Sequence, residues 1–418
     1  MKIVADLHIH SKYSRAVSQE MNLENIDIWA RKKGIQVMGT GDFTHPQWFN
    51  EIKTKLKPSE EGLFNLKSQI SNLKSQTRFM LTAEISSIYS KGGKVRRIHN
   101  LIFAPSIEAV EKINTKLDWI GNLKSDGRPI LGLDSKELLK IILDIDEKCV
   151  LIPAHAWTPW FSIFGSMSGF DSIEECFDEM SSHIFAIETG LSSDPAMNWR
   201  LSALDKISLI SNSDSHSLQK IGREANIFDC ELSYDGIIDA IKSKDPKKFL
   251  YTIEFFPEEG KYHYDGHRDC GIYFSPEETK KHSGKCPKCG KNLTIGVLNR
   301  VDTLADREIG EKPLSAIPFK NLIPLDEIIG EALGVGPKSK KVMAEYEKLV
   351  GELKSESKVL LNASVDDISR ISNLKIAEAV KNVREGRVDI RPGYDGEYGK
   401  ISIFKESEEI KKPQSTLF

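Results

Sequence analysis

The chain has 418 residues, 39% of them hydrophobic, too long for one ordinary domain and apolar enough for a normal core. The formal net charge is only −3, so any nucleic-acid surface must be a local patch, and no apolar run reaches the length of a membrane span. Three cysteines (Cys149, Cys176, Cys230) are isolated and three cluster between 270 and 289, which is not a disulfide framework and points to a reducing, cytoplasmic setting.

From the N-terminus, MKIVADLHIH already carries Asp6 and His8 and reads as a buried first strand, not a signal peptide. Six further apolar runs follow: IQVMGTGDF, RFMLTAEIS, RRIHNLIFA, CVLIPAHAW, IFAIETG and ISLISNSDSH. Amphipathic stretches such as LENIDIWARKKG and SKELLKIILDI lie between several of them. Strand and helix alternating about seven times over residues 1–255 predict a parallel α/β barrel, whose active face is the one at the C-terminal strand ends.

Polar residues gather at those ends. Six histidines (His8, His10, His45, His99, His155, His216) share them with Asp6, Asp42, Glu84, Glu188 and Asp214. His8 and His10 are two apart, as are Asp214 and His216, so on a strand each pair faces one side. Imidazole with carboxylate suits zinc, manganese or iron, and two or more such ions can activate water and clamp a phosphate. Glu188 reads equally as a ligand, a substrate contact or a buried acceptor. The run AWTPWFSIFGSMSGF places Trp157, Trp160, Phe161, Phe164 and Phe170 beside His155. These aromatics are expected either to stack on an extruded base or to form a hydrophobic lid or core loop.

Composition turns polar and glycine-rich near 257. His267-x2-Cys270 and Cys286-x2-Cys289 form two knuckles with structural-zinc spacing over a module at 256–318, with His263 and His282 as other candidates for the fourth ligand. A helical region is predicted over 319–400. Within it, LGVGPKSKK puts Gly334 and Gly336 in a hairpin ahead of a helix, with Lys338, Lys340 and Lys341 beside it. This resembles the helix-hairpin-helix motif, which holds DNA phosphates through backbone amides. The charged tail, 401–418, ends in Gln414, Leu417 and Phe418, which resembles the peptides that bind sliding clamps.

The set DLHIH, AEIS, IHNLIF, PAHAW and SDSH resembles the PHP (polymerase and histidinol phosphatase) superfamily. That resemblance implies a distorted parallel (β/α)7 barrel holding two to three divalent metals (Zn, Mn or Mg). By position, His8, His10 and Asp214 would hold one ion, with Glu84 bridging to a second completed by His99 and His155. His216 would belong to a third ion, where Arg15 and TGDFTH depart from the usual pattern and Asp42 and His45 would stand in.

Within the barrel GTGDFTHP, PAHAWTPWFS and ETGLSSDP, and beyond it HYDGHRDC, CPKCGK, TIGVLNRVDTLADR and RPGYDGEYGK, make nearly the whole chain resemble the endonuclease Q family. The resemblance implies a PHP barrel, one structural zinc on His267, Cys270, Cys286 and Cys289, and a C-terminal helical region. It further implies a nucleoid-associated enzyme that cuts duplex DNA on the 5′ side of a deaminated base (hypoxanthine, uracil, xanthine) or an abasic site. Asp214, His8 and Glu84 would then be catalytic. Trp157, Trp160, Phe161, Glu188, Gly334, Gly336 and Lys338 would contact DNA, and the tail a sliding clamp. The rival expectations are a PHP-type phosphatase or exonuclease, and a non-catalytic DNA- or clamp-binding scaffold.

Overall fold

The computed structural model describes residues 1–67 and 77–404. The clamp-like residues Gln414, Leu417 and Phe418 lie outside the described residues. Seven strands surround the core: β1 (Lys2–Asp6), β2 (Val37–Gly39), β3 (Arg78–Lys91), β4 (Lys94–Ala104), β5 (Val150–Pro153), β6 (Ala186–Glu188) and β7 (Ser208–Ile210). β1 pairs with β2 and β2 with β3, both parallel, and β6 pairs parallel with β7. The ring closes through backbone at the strand ends. The Ala156 N–H donates to the Glu188 carbonyl (2.9 Å), and Ile9 bridges Ser215. The Leu7 N–H donates to the Asn212 side chain (2.8 Å).

One strand departs from an all-parallel barrel. β4 runs antiparallel to both β3 and β5. The cause is Gly92–Gly93, where φ values of 62° and 73° turn the chain back in two residues, so no crossover helix is needed. The register of this hairpin sets Ser86 opposite His99, which puts Glu84 and His99 on the same face.

The helices outside the ring are capped as their sequences dictate. Asn22, Ser106 and Asp134 accept from the first-turn amides of Leu23–Lys33, Ile107–Asp118 and Ser135–Ile145. Among the described residues, no helix is long and apolar enough to cross a membrane.

Residues 263–304 form a small module: the hairpin Asp265–His267 with Ile272–Phe274, the helix Pro276–Lys281 and the helix Val297–Leu304. Arginines fasten this region to the barrel. Arg300 donates to the Phe164 carbonyl (2.9 Å) and Asp171 (2.6 Å), Arg200 to Asp302 (2.7 Å), and Arg307 to Asp205 (2.6 Å). The C-terminal helices dock on the barrel through a buried Lys33–Glu356 pair (2.6 Å), and Glu356 also accepts from the Tyr346 hydroxyl (2.7 Å). The helices end at Arg384. Asp389–Arg391 and Lys400–Ser402 then pair as a hairpin whose connecting loop returns to the module, with Tyr394 bridging Tyr264.

Two carboxyls are sealed inside this assembly with no salt bridge among the described residues. Glu224 and Glu254 are fully buried; Glu254 accepts from the hydroxyls of Thr252 and Thr189, and Glu224 from the Phe255 amide. Burial pushes Glu254 from 4.5 up to about 8, against the lowering effect of its hydroxyl donors. Below pH 4.5 the folded and unfolded states both keep the proton. Between 4.5 and 8 only the unfolded state releases it, so stability falls as pH rises. Glu254→Gln should remove part of that loss, seen as a mutant-minus-wild-type stability difference that grows from pH 5 to 8. Parallel pH–stability curves would contradict it.

Candidate metal centre and nucleic-acid surface

The strand ends bring Glu84 to the middle of a buried polar cluster. Its Oε2 lies 3.5 Å from His8 Nε2 and 3.2 Å from His10 Nε2. Asp214 Oδ1 completes this group at 3.6 Å from His8 and 3.2 Å from His10. The other oxygen, Oε1, faces His99 Nδ1 at 2.7 Å and His155 Nε2 at 3.0 Å. One carboxylate thus joins a group of four potential ligands to a group of three, the atoms of each lying within 4.8 Å of one another.

The residues fit cations. His8 Nε2, His10 Nε2 and Asp214 Oδ1 are buried without a hydrogen bond, which leaves strong donors and acceptors unsatisfied unless something sits among them. The opposite ring nitrogens are held from behind. His8 Nδ1 meets both Glu188 oxygens at 3.1 Å, His10 Nδ1 meets Asp42 at 2.9 Å, and His155 Nδ1 meets Thr158 Oγ1 at 3.2 Å. Such partners set the tautomer and aim the free nitrogen at a metal. Three residues here adopt the left-handed region despite their side chains: Asp42 (φ 49°), His155 (φ 27°) and Asp214 (φ 45°). That strain is held where the loops leave the barrel, and Gly190 makes room for it, since a Cβ there would lie 2.4 Å from that of His155.

Charge inside the cluster is strongly coupled. Burial disfavours ionised Glu84, but His99, Arg128 and His8 outweigh it and hold the carboxyl well below the usual range. Asp214 is lowered likewise, with His8 and His10 overcoming burial. Burial drives His99 down to about 4, against the raising effect of Glu84.

Several expected site residues take other roles. Asp42 joins neither ligand group: its carboxylate accepts from the Ser11 amide (2.6 Å), the Ser11 and Ser14 hydroxyls (2.7 and 2.8 Å) and His10. His45 heads the helix Pro46–Lys55 and stacks on Tyr13 at 4.5 Å, outside both ligand groups. His216 lies beside His10, ring to ring at 4.8 Å, but its Nδ1 turns to the Asp214 carbonyl (2.8 Å) and it joins neither group. Among the described residues, Asp42, His45 and His216 form no third ligand group.

Glu188 is fully buried behind His8, where it also accepts from the His155 amide and Asn212, both at 2.9 Å, and cannot touch DNA. Trp157 is 1% exposed, with its indole N–H on Asn198 (2.8 Å), and Phe164 and Phe170 are buried too, so these three are core. Trp160 is 41% exposed, and Phe161 packs against His99 at 4.7 Å. Sequence reasoning missed Arg128, which donates to Glu84 Oε2 at 3.2 Å from the turn before the short strand Ile130–Leu131. A lone arginine in a polar loop carries no sequence signal of that role.

The second cluster forms as the knuckle spacing requires. His267, Cys270, Cys286 and Cys289 bring their ligand atoms within 4.8 Å of one another. His263 is buried elsewhere, and His282 stacks on Phe274 at 4.6 Å. Farther on, Gly334 ends the helix Leu325–Leu333 in the left-handed conformation, and Ser339 caps Lys340–Leu353. Between them Gly336 and Lys338 are exposed, so the backbone of this turn is open to a phosphate.

Residues 324–387 match the family model described as the MJ0043 C-terminal domain. The chain is 36% identical over 271 residues to the uncharacterized protein MJ0043 of Methanocaldococcus jannaschii; the match covers 63% of this chain and spans about a third (33%) of that relative's length. It is 30% identical over 419 residues to the uncharacterized protein YqxK of Bacillus subtilis, covering 96% of this chain and 99% of that one. Among solved structures, it resembles the lesion-specific endonuclease PfuEndoQ from Pyrococcus furiosus with a TM-score of 0.85 at 32% identity, covering 98% of both chains. It likewise resembles an endonuclease Q in complex with a 27-mer duplex bearing an abasic lesion at the active site, with a TM-score of 0.83 at 32% identity, covering 98% of this chain and 99% of that one. Barrel, cysteine module and C-terminal helices are matched together and end to end, and the chain therefore belongs to the endonuclease Q family.

Proposed function

We propose that the protein is a DNA-repair endonuclease that hydrolyses the phosphodiester on the 5′ side of a deaminated base or an abasic site. Glu84 carries this reading: one buried carboxylate spans two ligand groups at the open end of a barrel, the arrangement expected for a pair of cations acting on one phosphate. His8, His10, Glu84 and Asp214 would hold one divalent ion, and Glu84, His99 and His155 the other. Cations bound there supply Lewis acidity toward phosphate oxygens and lower the pKa of water.

The chain's own groups do the rest. Glu188 and Asp42 keep the Nδ1 atoms of His8 and His10 engaged, so the Nε2 lone pairs stay directed into the site. The Arg128 guanidinium, beside Glu84, adds fixed positive charge for the phosphate. The exposed turn at Gly334–Lys338 suits non-specific grip of the duplex, and a zinc ion on His267, Cys270, Cys286 and Cys289 would hold the module's shape.

Metal-reconstituted protein is expected to nick internally labelled duplexes carrying deoxyinosine, deoxyuridine or an abasic analogue, leaving a 3′-hydroxyl and a 5′-phosphate, and to spare the undamaged duplex. Progressive release of mononucleotides from an end would instead favour an exonuclease. No product on any duplex would leave the scaffold alternative.

A further inference from the structure

The segment RPGYDGEYG (391–399) leaves the C-terminal helices and lies along the linker that joins barrel to module. Four backbone hydrogen bonds tie strap to linker. The amides of Gly393, Gly396 and Gly399 donate to the carbonyls of Glu258 (2.8 Å), Lys261 (2.8 Å) and Glu259 (3.1 Å), and the Tyr264 amide donates to the Gly393 carbonyl (2.9 Å). At the tip, Tyr394 and Glu397 exchange backbone hydrogen bonds of 2.8 and 3.0 Å around Asp395 (φ 44°) and Gly396 (φ 90°). This is a two-residue hairpin turn, for which Asp-Gly is a favoured pair. Gly266, just before the first knuckle, lets the hairpin in: a Cβ there would lie 2.4 Å from the Tyr394 ring.

The hairpin delivers one carboxylate to both knuckles. Asp395 Oδ2 accepts from the Arg268 amide (2.7 Å), inside the turn that joins His267 to Cys270. Its Oδ1 accepts from the Thr294 hydroxyl (2.6 Å), on the segment that leaves the knuckle of Cys286 and Cys289. Each knuckle shapes its own ligand pair through local turns, with the Gly271 amide on the Arg268 carbonyl (2.9 Å) and the Gly290 amide on the Cys286 carbonyl (2.8 Å). The relation between the two pairs is set elsewhere. Gly266 and Thr294 exchange backbone hydrogen bonds of 2.9 and 2.8 Å, and Asp395 braces the same junction from 127 and 101 positions away.

We propose that Asp395 is a positioning residue for the structural zinc: its carboxylate fixes one knuckle against the other, so the site holds its ion tightly only while the C-terminal strap is docked. The inference rests on reading His267, Cys270, Cys286 and Cys289 as a zinc site. Groups that hold metal ligands from behind typically contribute 10–100-fold to metal affinity, because a ligand set already in place need not be ordered by the ion. Asp395 acts in that way on the backbone between ligands.

The full-length protein loaded with cobalt(II) provides the test. Thiolate-to-cobalt charge-transfer absorption reports on this site, since the two barrel groups consist of histidine and carboxylate alone. The rate at which that absorption decays after EDTA is added is compared for wild type, Asp395→Ala, Asp395→Asn, Thr294→Val and the Asp395→Ala/Thr294→Val pair. Asp395→Ala should decay about ten-fold or more faster than wild type. Asp395→Asn tolerates the same left-handed turn and keeps one acceptor oxygen, so it should decay roughly two- to five-fold faster. Thr294→Val should show a similar modest acceleration and add nothing in the Asp395→Ala background. A wild-type rate in Asp395→Ala, or a full additional effect of Thr294→Val in that background, overturns the assignment. If Asp395→Ala takes up no cobalt, faster decay in both Asp395→Asn and Thr294→Val supports it and wild-type rates in both overturn it. A wild-type protein without charge-transfer absorption defeats the zinc reading as well.

Discussion

Asp214→Ala should lower strand cleavage by on the order of a thousand-fold while lesion-duplex binding survives. Asp214 supplies an Oδ1 that is buried, unpartnered and within 3.6 Å of both His8 and His10. Removing it takes a negative charge from the group that would hold the first cation. The duplex grip expected at Gly334–Lys338 lies on separate helices, so affinity and chemistry should separate. His8→Ala should behave the same way. Glu188→Gln, which disturbs only the support behind His8, should cost a smaller factor, roughly 10–100-fold, through weaker metal affinity. Single-turnover nicking beside a gel-shift titration measures both quantities. Full activity in Asp214→Ala would sink the metal-centre assignment.

Cys286→Ser should release the zinc and unfold the module it staples. The segment from 263 to 304 has little apolar core of its own, with Leu293, Val297 and Val301 as its fully buried aliphatic side chains. In small zinc domains the ion supplies roughly 10–16 kcal/mol of apparent folding free energy, which so small a core cannot replace. Metal analysis should show one zinc equivalent lost, and limited proteolysis should open sites between 263 and 304. Nicking should fall in parallel, because Tyr262, His263 and Val297 line a cavity beside the metal face. Retention of that zinc with unchanged protease resistance would refute a structural role.

The two-residue spacing of His8 and His10 was informative because strand alternation sends both rings to one side, and both join the same ligand group. The same spacing misled at His216. β7 ends at Ile210, so Asp214 and His216 lie in a loop where alternation no longer holds, and the Asp214 carbonyl claims the His216 ring. Asp42 shows a related limit. A carboxylate aimed at a cation and one bracing the back of a ligand histidine are alike in sequence. In the structure Ser11 and Ser14 donate to its oxygens. For Trp157 the structure takes the core-loop alternative, with the indole turned inward to Asn198.

The sequence by itself determined what depends on short range. This includes the apolar strands, the ligand types at their ends, the knuckles at 267–270 and 286–289, and the capped turn after Gly334. Only the tertiary structure decided which of those ligands meet. Glu84 reaches both groups because the Gly92–Gly93 hairpin sets His99 on its face and because ring closure brings Leu7 to Asn212, 205 positions away. The contacts of Arg128 with Glu84 and of Glu188 with Asn212 likewise form only where distant segments converge. Distances of about 3 Å between groups far apart in the chain are set by packing and closure, which local periodicity does not encode.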